Sequence, residues 1–247
     1  MPSWIQQSIS RGILTSHYPK DAATDEEIPA TGRPPLPIVG ASAASAVDAC
    51  PVGAIVATGV DQGKCIRCAR CLPRGFAFAG RVESSTRGRA ALTPGTPTEN
   101  VAHAAAAPLS DLRRSVHVFL VDVGSCNACN LEVLALANPY YDSQRLGIFF
   151  TNSPRHADVL LIVGVPTPEM IDPLQRAYDA VPGPKAVVAV GACAISGGAF
   201  AGAPGLTQTL DALVPVDVYI PGCPPSPITI LDGLLRVVGR GRRAAGD

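Results

Sequence analysis

The second half of this chain predicts an α/β fold, a parallel sheet with helices on both faces, from two observations. From Ser115 onward, β-branched apolar runs alternate with segments of helical spacing. That alternation is what a parallel sheet with crossover helices requires, and no internal repeat offers a different architecture. In order, Val116–Val123 reads as a strand, Leu131–Ala137 as an apolar helix, and Leu146–Phe150 and Asp158–Val163 as strands. Pro168–Ala180 carries Met170, Ile171, Leu174 and Ala177 at helical spacing; Lys185–Val190 and Val216–Ile220 complete the strands, and Ile228–Val238 is a closing helix.

The first half is organised differently. Residues 1–35 mix turn-forming and charged residues and read as an arm with little core of its own, ordered by a partner. Residues 36–80 form a small cysteine-bearing α+β unit, 81–114 a Ser-, Pro- and Ala-rich linker, and 115–247 the sheet domain.

Composition narrows the function. Lys plus Arg and Asp plus Glu both number 20, so there is no net charge to draw the chain to nucleic acid or an anionic membrane. The basic tail of Arg236, Arg240, Arg242 and Arg243 reads as a solvated helix end. Apolar stretches fall short of the ~20 residues of a membrane span. No charged and apolar leader or twin-arginine pair opens the chain, so a cytoplasmic location is expected, peripheral on the inner membrane's cytoplasmic face where partners attach it.

Eight cysteines without a secretion signal point to metal rather than disulfides. They fall into two sets of four. In the first, Cys65, Cys68 and Cys71 stand as C-x2-C-x2-C, and Cys50 precedes Pro51. Two-cluster ferredoxins repeat C-x2-C-x2-C-x3-C-P, with the fourth cysteine of each run ligating the other run's cluster. Here one cluster keeps all four ligands. The other would need cysteines at Gly40, Ala43, Ala46 and Gly75, and has none. Residues 36–80 therefore resemble a two-cluster ferredoxin domain that has lost one [4Fe–4S] cluster. A four-cysteine zinc site is the alternative, although zinc ligands usually come as separated pairs.

In the second set, Cys126 and Cys129 follow the first strand of the sheet, Cys193 the fourth and Cys223 the last. Loops after parallel strands gather at one edge, so four thiols distant in sequence converge there. Gly124, Gly191 and Gly222 stand just before ligands, where a missing side chain lets backbone approach a cofactor. The glycines of 191–205 fit no phosphate-loop pattern, and Cys193 occupies the loop.

Four blocks then carry a specific resemblance: Gly124-Ser-Cys-Asn-Ala-Cys-Asn-Leu-Glu132, Ser153-Pro-Arg-His-Ala-Asp158, Val190-Gly-Ala-Cys-Ala-Ile-Ser-Gly-Gly198 and Pro221-Gly-Cys-Pro-Pro225. In this order they resemble the small subunit of group 4, energy-converting [NiFe] hydrogenases of the formate-hydrogenlyase type. The related B-type polypeptide of respiratory complex I carries adjacent cysteines in the first block, whereas two residues separate Cys126 from Cys129 here. The resemblance implies a flavodoxin-like fold that holds a proximal [4Fe–4S] cluster against a large catalytic subunit, alongside further iron–sulfur and membrane subunits. The chain would relay electrons through two [4Fe–4S] clusters, with the active site in the large subunit. Glu132 becomes a candidate for a proton path. Arg155 and His156 could tune the cluster or bridge to a partner, while His103 and His117 carry no motif. Two other functions stay open: a complex-I-like quinone oxidoreductase component, and a zinc-stabilised assembly protein.

Overall fold

The structure, a computed structural model, describes residues 4–12, 14–29, 33, 35–37, 44–56, 59–78, 85–86, 89–93, 109–112, 114–206 and 209–241. Expectations placed on Gly40, Ala43, His103, Arg242, Arg243 and residues 94–108 lie outside the described residues.

A short helix α1 (Trp4–Arg11) opens the chain. The small unit follows, with β1 (Pro35–Pro37), α2 (Ala44–Val47), β2 (Ile55–Val56), β3 (Gly59–Val60) and β4 (Phe76–Phe78). β1 pairs antiparallel with β4, and β2 with β3. Its core is small and its own: Ala46, Ala54, Ile55, Val60 and Phe76 pack together with Cys65 and Cys71. Ala46, at a corner where the ferredoxin pattern calls for a cysteine, is wholly buried in that core. Gly75, at another such corner, has φ 88°, a conformation that cysteine avoids. Two of the vacated ligand positions are thus occupied by packing and by a tight turn.

The sheet domain contains β5 (Val116–Asp122), α3 (Ala128–Ala135), β6 (Ile148–Phe150), β7 (Val159–Val163), α4 (Pro168–Ala180), β8 (Ala186–Val190), α5 (Gly191–Ser196), α6 (Leu210–Leu213), β9 (Val218–Ile220) and α7 (Pro227–Val237). Its strands are all parallel, in the order β6-β5-β7-β8-β9, which is the flavodoxin order. The central strands β7 (VLLIV) and β8 (AVVAV) are buried at every residue, as strands covered on both faces must be. Alternate residues feed two cores. Val118, Leu161, Val188 and Ile220 pack against α3 and α7, while Val121, Ile162, Ala189 and Tyr219 pack against α4, α5 and α6. The expected α/β fold with helices on both faces is the fold observed.

Element ends differ for local reasons. The helix expected at Leu131 starts at Ala128, because Asn127 takes a left-handed turn (φ 72°) immediately before it. Cys129 consequently lies within the first helical turn. Leu146 is not in a strand: Ser143–Leu146 forms a 3-10 turn capped by Asp142, and left-handed Gly147 redirects the chain into β6. Asp158 and Asp217 precede their strands and use their carboxylates on neighbouring ones, accepting from His117 N (2.8 Å) and Val187 N (2.8 Å).

The arm's buried residues join the core of the sheet domain. Tyr18, Ala23 and Ile28 are buried in the same cluster as the sheet and α7, so what orders this segment is the sheet domain itself. The linker also packs where it is described. Thr86 and Tyr219 exchange backbone hydrogen bonds (2.9 and 2.8 Å), and Leu92 is buried among the sheet residues. With the arm and this strap laid over it, α7 is buried on nearly every side, which an amphipathic surface helix would not be. Asp232 ties these parts together from the interior of α7. Its carboxylate accepts from Tyr18 Oη (2.6 Å), Ser85 Oγ and Arg236 Nε (2.7 Å). No helix among the described residues is long and apolar enough to cross a membrane.

Removing the Asp232 carboxylate leaves a buried phenol and a partly buried guanidinium without this acceptor. Asp232→Ala is expected to lower the unfolding free energy by about 3 kcal/mol or more, and Tyr18→Phe by about 1 kcal/mol, read as shifts in urea-denaturation midpoint with unchanged slope.

Candidate metal centres

The first set of cysteines lines a small pocket in the ferredoxin-sized unit, with Cys50, Cys65, Cys68 and Cys71 all in its wall. The loop takes this shape under local strain. Arg67 (φ 53°) and Ala69 (φ 63°) both adopt the left-handed conformation, which L-residues avoid unless surroundings impose it. At Arg67 the consequence is in amide direction, its N donating to Cys65 Sγ (3.4 Å); separately, Ala54 N, after left-handed Gly53, donates to Cys50 Sγ (3.2 Å). Donors aimed at sulfur favour the thiolate, whereas burial disfavours it and pushes the Cys65 thiol up to about 11. Cys71 is raised by the same cause.

The second set lies at the carboxyl edge of the sheet. Cys126 and Cys129 come from the turn after β5 and the start of α3, Cys193 from α5 directly after β8, and Cys223 from the turn after β9. Burial, then the charges of Cys193, Cys223 and Cys126, push the Cys129 thiol up to about 12. Burial with Cys223 and Cys126 likewise takes Cys193 to about 11. The fold therefore brings all four sulfurs within electrostatic reach of one another, from segments nearly a hundred residues apart.

Of the three glycines singled out by sequence, Gly191 alone has a cysteine sulfur against it. A Cβ there would stand 2.6 Å from Cys129 Sγ, and its φ is 87°. Gly124 instead lets the loop after β7 approach, since a Cβ would meet Val165 O at 2.5 Å, and Gly222 allows a tight turn onto Pro225. Gly198, which sequence reasoning passed over, plays the role expected of them: its Cβ would come 3.1 Å from Cys193 Sγ.

Asp122 was also missed, and it organises the first turn. Its carboxylate accepts from Gly124 N (2.9 Å), Ser125 N (2.8 Å), Ser125 Oγ (2.7 Å) and Asn130 Nδ2 (2.6 Å). Partial burial alone would raise this carboxyl, but the bonds from Ser125, Gly124 and Asn130 outweigh it and hold Asp122 below its usual range. An aspartate closing a strand two residues ahead of Gly-Ser is the sequence sign of such a turn.

Arg67 was the third omission. It is 9% exposed and donates from Nη2 to Pro221 O (3.0 Å), joining the first cysteine loop to the segment that leads into Cys223. Burial lowers the guanidinium to about 10, and the Cys65 and Cys223 sulfurs pull it back up. Nearby, Ser196 Oγ donates to Gly63 O (2.9 Å), and Arg89 forms a two-pronged ion pair with Asp61 (3.0 and 3.2 Å).

The remaining candidates are less engaged. Glu132 is half-buried one turn beyond Cys129, and burial raises its carboxyl. Arg155 and His156 stand exposed on the turn between β6 and β7. His117 contacts Asp158 (3.4 Å) and stacks on Phe149.

The donors fit an iron–sulfur cluster in kind. Each site offers four soft thiols, with inward amides at the first and a glycine cradle at the second, and burial that disfavours thiolates unless cations accompany them. Among the described residues, no three His, Cys, Asp or Glu side chains are spaced to hold a single metal ion. A four-iron cluster takes one thiolate at each corner, so its ligands stand further apart than those of one ion.

Both the packing and the thiols can be tested. Gly191→Ala forces Cys129 aside and strains the backbone by about 1–2 kcal/mol; if the four thiols hold an iron–sulfur cluster, iron content per chain falls while Gly183→Ala, whose added methyl meets nothing, leaves it unchanged. In iron-free protein at pH 8, a thiol raised to about 12 is almost entirely protonated and therefore unreactive. Mass-spectrometric alkylation kinetics should show exposed Cys68 and Cys126 modified well before buried Cys129, with the Cys129 rate climbing through the alkaline range.

Residues 126–237, which include the whole second cysteine set, match the family described as the NADH ubiquinone oxidoreductase 20 Kd subunit. Formate hydrogenlyase subunit 7 of Escherichia coli (strain K12) is 43% identical over 146 residues, 59% of this chain and 57% of that protein, so the chain spans little more than half of that relative. The probable membrane-bound hydrogenase subunit mbhJ of Pyrococcus furiosus is 44% identical over 122 residues, 49% of this chain and 73% of that one. Among solved structures, a chain of an archaeal membrane-bound sulfane sulfur reductase is 35% identical, covering 53% of this chain and 74% of that chain with a TM-score of 0.46. With the parallel sheet, the four-block cysteine pattern and relatives of this similarity and coverage, the chain belongs to the family of the NADH ubiquinone oxidoreductase 20 Kd subunit.

Proposed function

We propose that this chain is the electron-transfer small subunit of a [NiFe] hydrogenase complex of the group 4 type. Cys126, Cys129, Cys193 and Cys223 hold one [4Fe–4S] cluster, and Cys50, Cys65, Cys68 and Cys71 hold a second in a ferredoxin-like domain. The domain bounds are those expected from sequence: 1–35 arm, 36–80 ferredoxin-like, 81–114 linker, 115–247 flavodoxin-like. The observation that carries the reading is the convergence of four thiols at one sheet edge, close enough that each opposes ionisation of the others, with a second four-cysteine pocket joined to it through Arg67.

The clusters supply one-electron redox chemistry when bound. The chain's own residues hold the sulfurs in place, aim amides at them and exclude water from Cys129 and Cys65. Nickel and hydrogen chemistry belong to a partner large subunit; further iron–sulfur and membrane subunits would attach the assembly to the cytoplasmic face of the membrane. Glu132, half-buried beside Cys129, is the proposed proton-path carboxylate. Support for hydrogenase comes from two relatives above 40% identity that bear hydrogenase or hydrogenlyase names, and from the C-x2-C spacing of Cys126 and Cys129. The quinone-oxidoreductase reading rests on the description of the matched family.

Anaerobic purification with partner subunits separates these. The proposal expects about eight iron and eight sulfide per chain, with nickel in the co-purifying large subunit. A nickel-free complex favours the quinone reading, and about two zinc per chain favours the assembly protein. Cys129→Ser should abolish hydrogen-dependent dye reduction, and Cys68→Ser should leave about four iron per chain. Wild-type dye reduction in Cys129→Ser would refute the relay.

A further inference from the structure

The two cysteine sites meet at one buried cation. Arg67 lies between Cys65 and Cys68 in the loop of the first site, where its left-handed backbone directs its own N–H to Cys65 Sγ (3.4 Å). Its side chain leaves that site and crosses to the sheet domain, donating to Pro221 O at 3.0 Å. Pro221 and Gly222 are buried, and Cys223 follows directly. One residue is therefore bonded through its main chain to a sulfur of one site, and through its side chain to the segment carrying a sulfur of the other.

A guanidinium suits this place for two reasons. Its planar fork fixes direction as well as distance, which a lysine ammonium on a flexible stem does not. Its charge is permanent, and in a poorly solvated setting a fixed positive charge acts strongly on negative charge nearby. Gly63, packed against Ile195 and Arg89, lets the two units come close enough for this contact to form.

We propose that Arg67 is a positioning residue shared by both cysteine sites: it fixes their separation, and its charge raises the reduction potential of whatever cluster each of them holds. This role rests on the two-cluster reading above and deepens it.

The test uses the complex purified anaerobically with wild-type chain, Arg67→Lys and Arg67→Gln, with iron counts and redox titration followed by EPR. Wild type is expected to show two reduced-cluster signals that broaden each other when both are reduced. Arg67→Gln, retaining its iron, is expected to move both midpoints to more negative values, and Arg67→Lys to fall between it and wild type. Unmoved midpoints in iron-replete Arg67→Gln, or a shift of only one, overturn the proposal. Should Arg67→Gln lose iron, the wild-type spectrum decides: mutual broadening upholds the shared contact, and two reduced signals without it overturn it. A wild-type complex with only one cluster signal defeats the two-cluster reading instead, and is distinguished from failure of the Arg67 proposal by that count.

Discussion

Thiols must lose their protons to bind metal, and burial opposes that loss. At the carboxyl edge of this sheet the opposition is strong, because burial and three neighbouring sulfurs together hold Cys129 as a neutral thiol to about pH 12. The helix that Cys129 enters offsets part of this with its amide end, and the glycines clear the space. Without metal the edge rests as neutral thiols; on the proposed reading, cations among the sulfurs compensate the thiolates that burial opposes. On that reading, binding releases the thiol protons, so the affinity of the edge for metal rises with pH.

The rest of the molecule holds the strand ends still. Asp122 takes four hydrogen bonds to set the turn carrying Cys126, while β7 and β8, buried throughout, fix where β5 and β9 end. On the outer side, the arm and the strap at Ser85–Thr86 cover α7 and meet at Asp232. A carboxylate with 0% exposure in a helix interior is tolerated because donors from three segments surround it. Its position also fixes α7, whose N-terminal end follows Cys223 by four residues.

How much of this could be read from the residues depended on whether a feature was local. The α4 helix was legible at both ends, because Pro168 opens it and its apolar spacing is regular. The parallel sheet followed from alternation alone. Helix α3 begins three residues before its apolar pattern does, since its start is set by Asp122 and Ser125 upstream. The cysteine grouping was visible in spacing and in strand ends. Arg67, Asp232 and the packing of Tyr18 were not, because each owes its role to a partner more than 150 residues away. Gly198 was hidden for another reason: its neighbour Gly197 terminates α5, so the pair reads as a simple helix stop.

Placing both sites in one chain alters the physics of their encounter. Separate donor and acceptor proteins must diffuse together and find the right orientation, and typical association rates reflect that constraint. A tether by itself only raises the local concentration of one site near the other. Here the contact is packed as well as tethered. Leu92 of the strap sits in the sheet's core, its carbonyl accepts from Gln62 N of the small unit (2.8 Å), Arg89 pairs with Asp61, and Ser196 and Arg67 close the junction from either side. Such a junction holds one orientation rather than sampling many. On the proposed reading, the separation between clusters is therefore a property of the fold, set at Arg67 and Pro221, and exchange between them needs no docking event.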